Sequence, residues 1–398
     1  MIIPNTFVHY FDYFVKRDVD KFFIAVAIRN LAMGMVLVFE AVYIFLYFNQ
    51  TIAPVFFFFA ALYLLYGLFV VTGAKIISKI GPTRSILISY FLYFIFYISL
   101  FLFSQSFFFV PLAVVAGAAG MALYWPSFHI DFVRFSSTSH RGKEVGKVNV
   151  AALLPMVASP FIGGWIITTL GYPALFVAVL ITLLASAIPL MYTKETHEMY
   201  TDSYRKVFGK IFSRKRWRAS LAFSSVALEI AINLTIWPLF MFIAAITFSQ
   251  IGGITSFSLL ISVLFVLYIG KLSDTKDRSW LLNIGAVWTS IAWVMKYFVQ
   301  TPFDAFLAQT VYKTSRAAVG IPFFTFFYEK AGSLKEQADE FIVYREVING
   351  GAKFVFFTLL GILFLVVPSF PLGAIFFVAA TAVLGFMFLQ NSPTMRIK

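Results

Sequence analysis

Ionisable side chains stand where the chain is otherwise apolar. Arg29 and Glu40 lie in one long apolar run, His129 and Asp131 towards the end of another, and Glu229 in a third. Lys313 and Arg316 share a fourth, Lys353 lies in a fifth, and Lys296 sits near the outer end of a sixth. A charge at the centre of a membrane-spanning helix costs at least ~2.5 kcal/mol on insertion scales, so each position carries information. The chemistry open to such groups is narrow. Arg and Lys can hold the acidic group of an anionic or zwitterionic solute. A carboxylate such as Glu40 or Glu229 can take up a proton, with burial and nearby cations tuning its affinity.

Helical spacing groups these residues. Arg29 and Glu40, eleven apart, return to one face, with Met33 and Val36 between them. Glu229, Asn233 and Trp237 step down one side of a helix, Gln309, Lys313, Arg316 and Gly320 down another, and Arg345, Asn349 and Lys353 down a third. The candidate solute contacts are therefore Arg29, Glu229, Asn233, Trp237, Gln309, Lys313, Arg316 and Lys353, together with the aromatic Tyr124 and Trp125. Glu40, Glu229, Asp131 and His129 are the candidate proton carriers. Four central cations (Arg29, Lys313, Arg316, Lys353) face two central acids (Glu40, Glu229), so the interior is net basic. The competing reading is structural: the charges pair with one another, Arg29 snorkels or gates with Asp131 near the inner surface, His129 is a structural residue beside Asp131, and the tryptophans anchor at the interface.

The elements that hold these groups are membrane spans. The 398 residues are 61% hydrophobic and 12% charged, about half the charge of a soluble domain. The apolar residues come in runs of roughly 20 rather than alternating, which predicts helices and excludes a β-barrel. Cysteine is absent, which removes disulfides and thiolate metal sites. The four histidines are scattered, so no metal or other cofactor is expected. The net charge of +13 reads as topological anchoring rather than nucleic-acid binding. The mixed polar stretch from Met1 to Lys21 does not resemble a cleavable signal.

About twelve spans are predicted, near 22–48, 55–77, 84–104, 107–133, 147–169, 173–192, 219–248, 251–270, 280–299, 302–328, 341–367 and 371–390. The odd-numbered connections carry no Lys or Arg. The even-numbered ones carry Lys79 and Arg84; Arg134, Arg141, Lys143 and Lys147; Lys271, Lys276 and Arg278; and Lys330 and Lys335. Both termini are therefore expected in the cytoplasm. The longest connection, 193–218, is strongly basic and separates 1–192 from 219–398, a bundle of six helices on either side. Its Tyr204–Phe212 stretch is either an amphipathic helix on the anionic inner leaflet or a solvated linker.

An internal repeat supports that division. AKIISKIGPTR (Ala74–Arg84) and GKLSDTKDR (Gly270–Arg278) both lie between long apolar runs. One offset of 196 places Ser78 under Asp274 and Pro126 under Pro322. These hinge stretches resemble the major facilitator superfamily signature G-x-L-x-D-R/K-x-G-x-R. The second copy keeps Gly270, Leu272 and Asp274, with Arg278 one place early. The first keeps Lys79 and Gly81, with Arg84 one place late and Ser78 for the Asp. Ser159-Pro160-Phe161-Ile162-Gly163-Gly164 is similar to the G-P-x-x-G-G element of that family's antiporters, but the fourth span lacks their buried Arg. The resemblance covers the whole chain. It implies two pseudo-symmetric six-helix bundles whose first, fourth, seventh and tenth helices line a central cavity, with Lys79, Gly81, Arg84, Gly270, Asp274 and Arg278 acting as a cytoplasmic hinge or gate.

The function expected is secondary active transport of a small solute by alternating access, coupled to a proton or a second solute, in the plasma membrane and as a monomer. No nucleotide-binding motif is present. The alternatives are an efflux antiporter for amphipathic drugs, a lipid enzyme built on Ser127, His129 and Asp131, and a non-transporting sensor.

Overall fold

The computed structural model describes residues 18–135, 141–193, 200–275, 278–334, 337–390 and 392, with side chains described over 20–133, 155–193, 200–265, 279–334, 337–390 and 392. Every regular element among them is helical: α1 (Asp18–Tyr47), α2 (Ile52–Ile80), α3 (Pro82–Phe101), α4 (Phe109–Phe135), α5 (Arg141–Leu190), α6 (Tyr204–Ile211), α7 (Trp217–Ala231), α8 (Trp237–Ile243), α9 (Phe248–Thr275), α10 (Arg278–Tyr297), α11 (Pro302–Ser333), α12 (Ala338–Val366) and α13 (Ile375–Leu384). Eight helical stretches among the described residues are long and apolar enough to cross a bilayer. Helices α10 and α11 are not among them. Asn283, Thr289 and Lys296 interrupt one, and Gln309, Thr310, Lys313, Thr314, Ser315 and Arg316 the other. Polar groups at that density fit helices with one face turned to protein, and the outer face of α10 still exposes Ile284, Val287, Trp288 and Ile291.

Two predicted spans are one helical stretch. Helix α5 is broken at Gly171 (φ 81, ψ 175), a conformation that glycine adopts without steric cost. Its arms run oppositely along α1. Gly34 and Met35 meet Ser159 and Gly163, whereas Tyr43 packs on Phe176 and Lys21 donates to the Tyr192 carbonyl at 3.1 Å. The predicted seventh span is also divided. Pro238 has no N–H to offer the carbonyl one turn back, and Ile232–Ile236 widens into a π turn, closed by the Trp237 N–H on the Ile232 carbonyl.

Packing repeats along the chain. Helix α4 packs on α2 and α3, and α11 packs in the same way on α9 and α10. The repeated prolines have matching surroundings. Pro126 leaves the Ala122 carbonyl without a helical donor, and Gly73 of α2 lies against it, so that a Cβ there would stand 2.6 Å from that oxygen. Pro322 does the same to Ala318, and a Cβ on Gly285 of α10 would stand 2.8 Å from that carbonyl carbon. Two seams join the early helices to the late ones, α2 with α12 and α5 with α9. Both rely on absent side chains. A Cβ on Gly350 would lie 2.8 Å from the Gly67 Cα, and Gly164 and Gly252 abut the Phe248 and Pro160 carbonyls. Close approach of this kind replaces the hydrophobic drive that lipid removes.

The phenylalanine runs serve both packing and surface. Phe56, Phe58 and Phe59 are buried, and Phe56 and Phe59 stack on Phe357 across the α2–α12 seam. Phe57, Phe107 and Phe108 are exposed.

Candidate functional site

The side chains singled out above sort into three clusters. On the first repeat, Arg29 is buried with its guanidinium 3.5 Å from the Tyr124 ring centroid and 5.6–5.7 Å from those of Trp125 and Tyr93. Its Nε has no hydrogen-bond partner, and no carboxylate pairs with it among the described residues. Glu40, also buried, lies near Tyr63, Tyr93 and Tyr97, and it makes no hydrogen bond or ion pair among the described residues. Arg29 and Glu40 share the neighbourhood of Tyr93 without meeting. Lys353 completes this region from α12, its Nζ 4.6 Å from the Tyr63 ring. The polar lining of this half is thus largely tyrosine hydroxyl, which the sequence reading overlooked except at Tyr124.

A second cluster lies on α7, α10 and α11. Arg316 donates from Nε to Glu229 Oε2 at 3.1 Å, and Tyr312 donates to Oε1 of the same carboxylate. Glu229 is therefore engaged, and Lys313 beside it forms no ion pair among the described residues. Trp237 lies against a cation of the chain itself. It is buried, and with Trp293 and Tyr312 it encloses the Nζ of Lys296 at centroid distances of 4.4, 4.0 and 3.9 Å. Lys296 is fully buried and its Nζ has no acceptor. Three rings at about 2 kcal/mol each are comparable to the several kcal/mol that desolvating an ammonium costs. A neighbouring charge therefore decides the balance. Gln309 Oε1, Asn233 Oδ1 and the two indole Nε1 groups are also unpartnered.

The third cluster crosses the α2–α12 seam. Glu346 accepts from Tyr66 at 2.6 Å, from Asn349 at 3.1 Å and from Arg345, and it lies 3.3 Å from His129 Nε2. The other ring nitrogen of His129 is 2.9 Å from the Tyr328 hydroxyl, and Arg345 Nη1 is 2.8 Å from Nε2. This is where the structure places His129; the expected partner, Asp131, is fully buried elsewhere on α4. The network ties α2 and α4 to α11 and α12 at the end that carries the basic connections. Glu346 was missed because it lies beside Arg345, near the start of its span, where a charge is ordinary.

The hinge residues are partly placed. Gly81 (φ 92) turns the chain between α2 and α3, while Lys79 and Arg84 are exposed. Gly270 lies in α9, and the side chains of Asp274 and Arg278 lie outside the described residues. Ser78, the counterpart of Asp274, accepts the Tyr200 N–H at 3.1 Å. The segment that follows is a strap across the same seam. Thr201 donates to Glu340 at 3.0 Å on α12, and Tyr204 to the Leu68 carbonyl at 2.6 Å on α2. Of the two readings of the Tyr204–Phe212 stretch it is a helix that forms, α6, with Val207 buried beneath it and Phe208 and Phe212 exposed.

Asp202 braces the strap from within, taking Lys206 at 2.5 Å and also Lys210, both on α6. Burial alone would raise its carboxyl, but hydrogen bonds from the two ammonium groups outweigh burial and hold it below the usual carboxylate range. A depressed carboxyl gives stability that is complete above its unfolded value and is lost as the pH falls through the lower folded one. The strap should therefore stay docked at neutral pH and release only in acid below that range. Asp202→Asn should release it at neutral pH, read as faster amide exchange over 200–211 with α2 and α12 still protected. Unchanged exchange would remove this role from Asp202.

Comparisons with known proteins agree with this architecture. A family model described as Major Facilitator Superfamily matches residues 22–332. No curated protein matches the chain. A solved structure described as a D-xylose-proton symporter superposes with a TM-score of 0.70 at 13% identity, covering 95% of this chain and 98% of that one.

Proposed function

This chain belongs to the Major Facilitator Superfamily and is a transporter rather than an enzyme, and on that premise we propose that it carries a small solute bearing an acidic group, coupled to protons. The observation that supports the solute class is charge without partners. Arg29, Lys296, Lys313 and Lys353 make no ion pair among the described residues, whereas Glu40 is the acid in the same position. A protein interior does not retain several uncompensated cations cheaply; an arriving carboxylate or phosphate would neutralise them. An amphipathic cation would meet repulsion from the same groups. Arg29, Lys313 and Lys353 hold the solute in this reading, Glu40 carries a proton, and Tyr124, Trp125, Asn233 and Gln309 shape the space. The architecture we infer is twelve spans, with bundles 1–192 and 219–398 joined by the basic 193–218 segment, and the basic end and both termini facing the cytoplasm of a plasma-membrane monomer. The hinge residues Lys79, Gly81, Arg84, Gly270, Asp274 and Arg278 act at that face as the halves rock about the central site. The solved symporter, named for proton coupling, lends the coupling its precedent.

The test is flux into liposomes that hold purified protein and a lumenal pH dye. Organic anions, zwitterions, amphipathic cations and the neutral pentose D-xylose are offered in turn, without ATP. Dye response to at least one anion or zwitterion is expected. Response to D-xylose or to cations alone would overturn the solute class, and no response across the panel would overturn coupled transport.

A further inference from the structure

Lys296 lies outside the solute-binding set and has no part in the coupling assigned to Glu40, yet it is among the most completely buried charges described. We propose that Lys296 is a second proton-binding site of the transport cycle, loaded when an anionic group draws Arg316 away from Glu229. The proposal rests on the reading that the solute is an anion.

The geometry is a short relay. Lys296 Nζ lies against the face of Tyr312 at 3.9 Å, the Tyr312 hydroxyl donates to Glu229, and Arg316 holds the other oxygen of that carboxylate. The groups facing Lys296 are few. Helix α11 brings Tyr312, Lys313 and Arg316, α7 brings Glu229, and α10 itself adds Trp293. The segments packed on its far side, Leu372–Ala374, Ile375–Leu384 and Gly385–Phe388, contain no titratable residue; Phe376 closes the cage against Trp237 and Trp293.

Two states follow. While Arg316 pairs with Glu229, their charges cancel and Lys296 feels mainly the like charge of Lys313. The amine then gains little by holding a proton in an aromatic cage. When a solute carboxylate or phosphate takes Arg316, Glu229 is left negative on the other side of Tyr312. The ammonium form of Lys296 is then favoured, and a proton moves from water onto the amine; when the solute leaves and Arg316 returns to Glu229, the proton goes back to water. Anion and proton strengthen each other's binding, and by linkage the effect is reciprocal. The cage suits this role because its rings stabilise an ammonium without giving it a permanent counter-ion.

Tryptophan emission of the full-length protein in detergent reads the site directly, since Trp237 and Trp293 flank the amine. A pH titration without solute should show a transition that Lys296→Met abolishes. In Arg316→Met, Glu229 has lost its guanidinium. The transition should then move to higher pH, corresponding to a proton affinity raised by at least about tenfold. If Lys296→Met does not fold, the Arg316→Met shift decides alone. A protein active in the liposome assay that shows no such transition, or one that neither substitution changes, would overturn the proposal while leaving transport intact. Absence of flux for every solute would instead overturn the transport reading, and the solute-free titration does not depend on that outcome.

Discussion

Glu346→Ala should abolish solute flux and lower the thermal midpoint by several degrees. The carboxylate is the acceptor for Arg345, Tyr66 and Asn349 and the neighbour of His129, and all of these except Asn349 are at least nine-tenths buried. Removing one partner of a buried pair costs about 3–5 kcal/mol, because the other charge is left uncompensated. That loss falls on the seam between the early and late helices, so it should also shift the conformational equilibrium. Opening at the basic end requires the Tyr66–Glu346 and His129–Tyr328 contacts to break, and the substitution breaks the first in advance. Glu346→Gln separates the two effects: its one amide oxygen keeps part of the accepting capacity while the charge is lost, so it should retain more stability than Ala while still impairing flux. The chain has no cysteine, so a single Cys at buried Ser127 reports opening against no background. Labelling there should be faster in Glu346→Gln than in the unsubstituted network. Wild-type flux and melting in Glu346→Ala would show that the cluster is not a latch.

The second large effect is expected at Glu40. Its carboxyl is enclosed by α1, α2 and α3, with Tyr63, Tyr93 and Tyr97 around it and Arg29 out of pairing range. Glu229 carries the same group, but its oxygens are already held by Arg316 and Tyr312, which compete for them. Glu40 has no such competitor among the described residues. A solute anion entering near Arg29 and Lys353 would face a negative Glu40 unless it had first been protonated, which orders the cycle: proton, then solute. Glu40→Gln mimics the protonated form permanently. It should bind solute and exchange it across the membrane, but it should convert a proton gradient into much less accumulation than the wild type, only the Lys296 proton remaining.

Much of this was legible in the sequence for one reason: a charge in an apolar run is conspicuous. Arg29, Glu40, Glu229, Lys313, Arg316 and Lys353 were found in that way. Their partners were not, because pairing depends on which helices touch. Tyr66 and Glu346 are 280 residues apart, and no local period joins them. Lys296 was set aside as an end-of-span charge, the usual habit of lysine, yet its chain turns into an aromatic cage that α8, α10 and α11 create together and α13 closes. The repeat of Pro126 and Pro322 was readable as a 196-residue offset, whereas the glycines that fill the space they leave, Gly73 and Gly285, come from helices with no sequence signal linking them. Ser78 read as a weakened copy of Asp274; in the fold it holds the linker strap, a role set by Tyr200 from beyond the first six predicted spans.

Uphill accumulation bears most directly on proton-coupled transport of an acidic solute. Proteoliposomes with an alkaline lumen are given a radiolabelled member of the anion panel that moved the pH dye, and internal and external concentrations are compared. The wild-type protein should concentrate the solute inside and lose that excess when the gradient is collapsed. Glu40→Gln should concentrate it far less at a comparable exchange rate. Equal accumulation by both proteins, or none by the wild type under the gradient, would contradict the account.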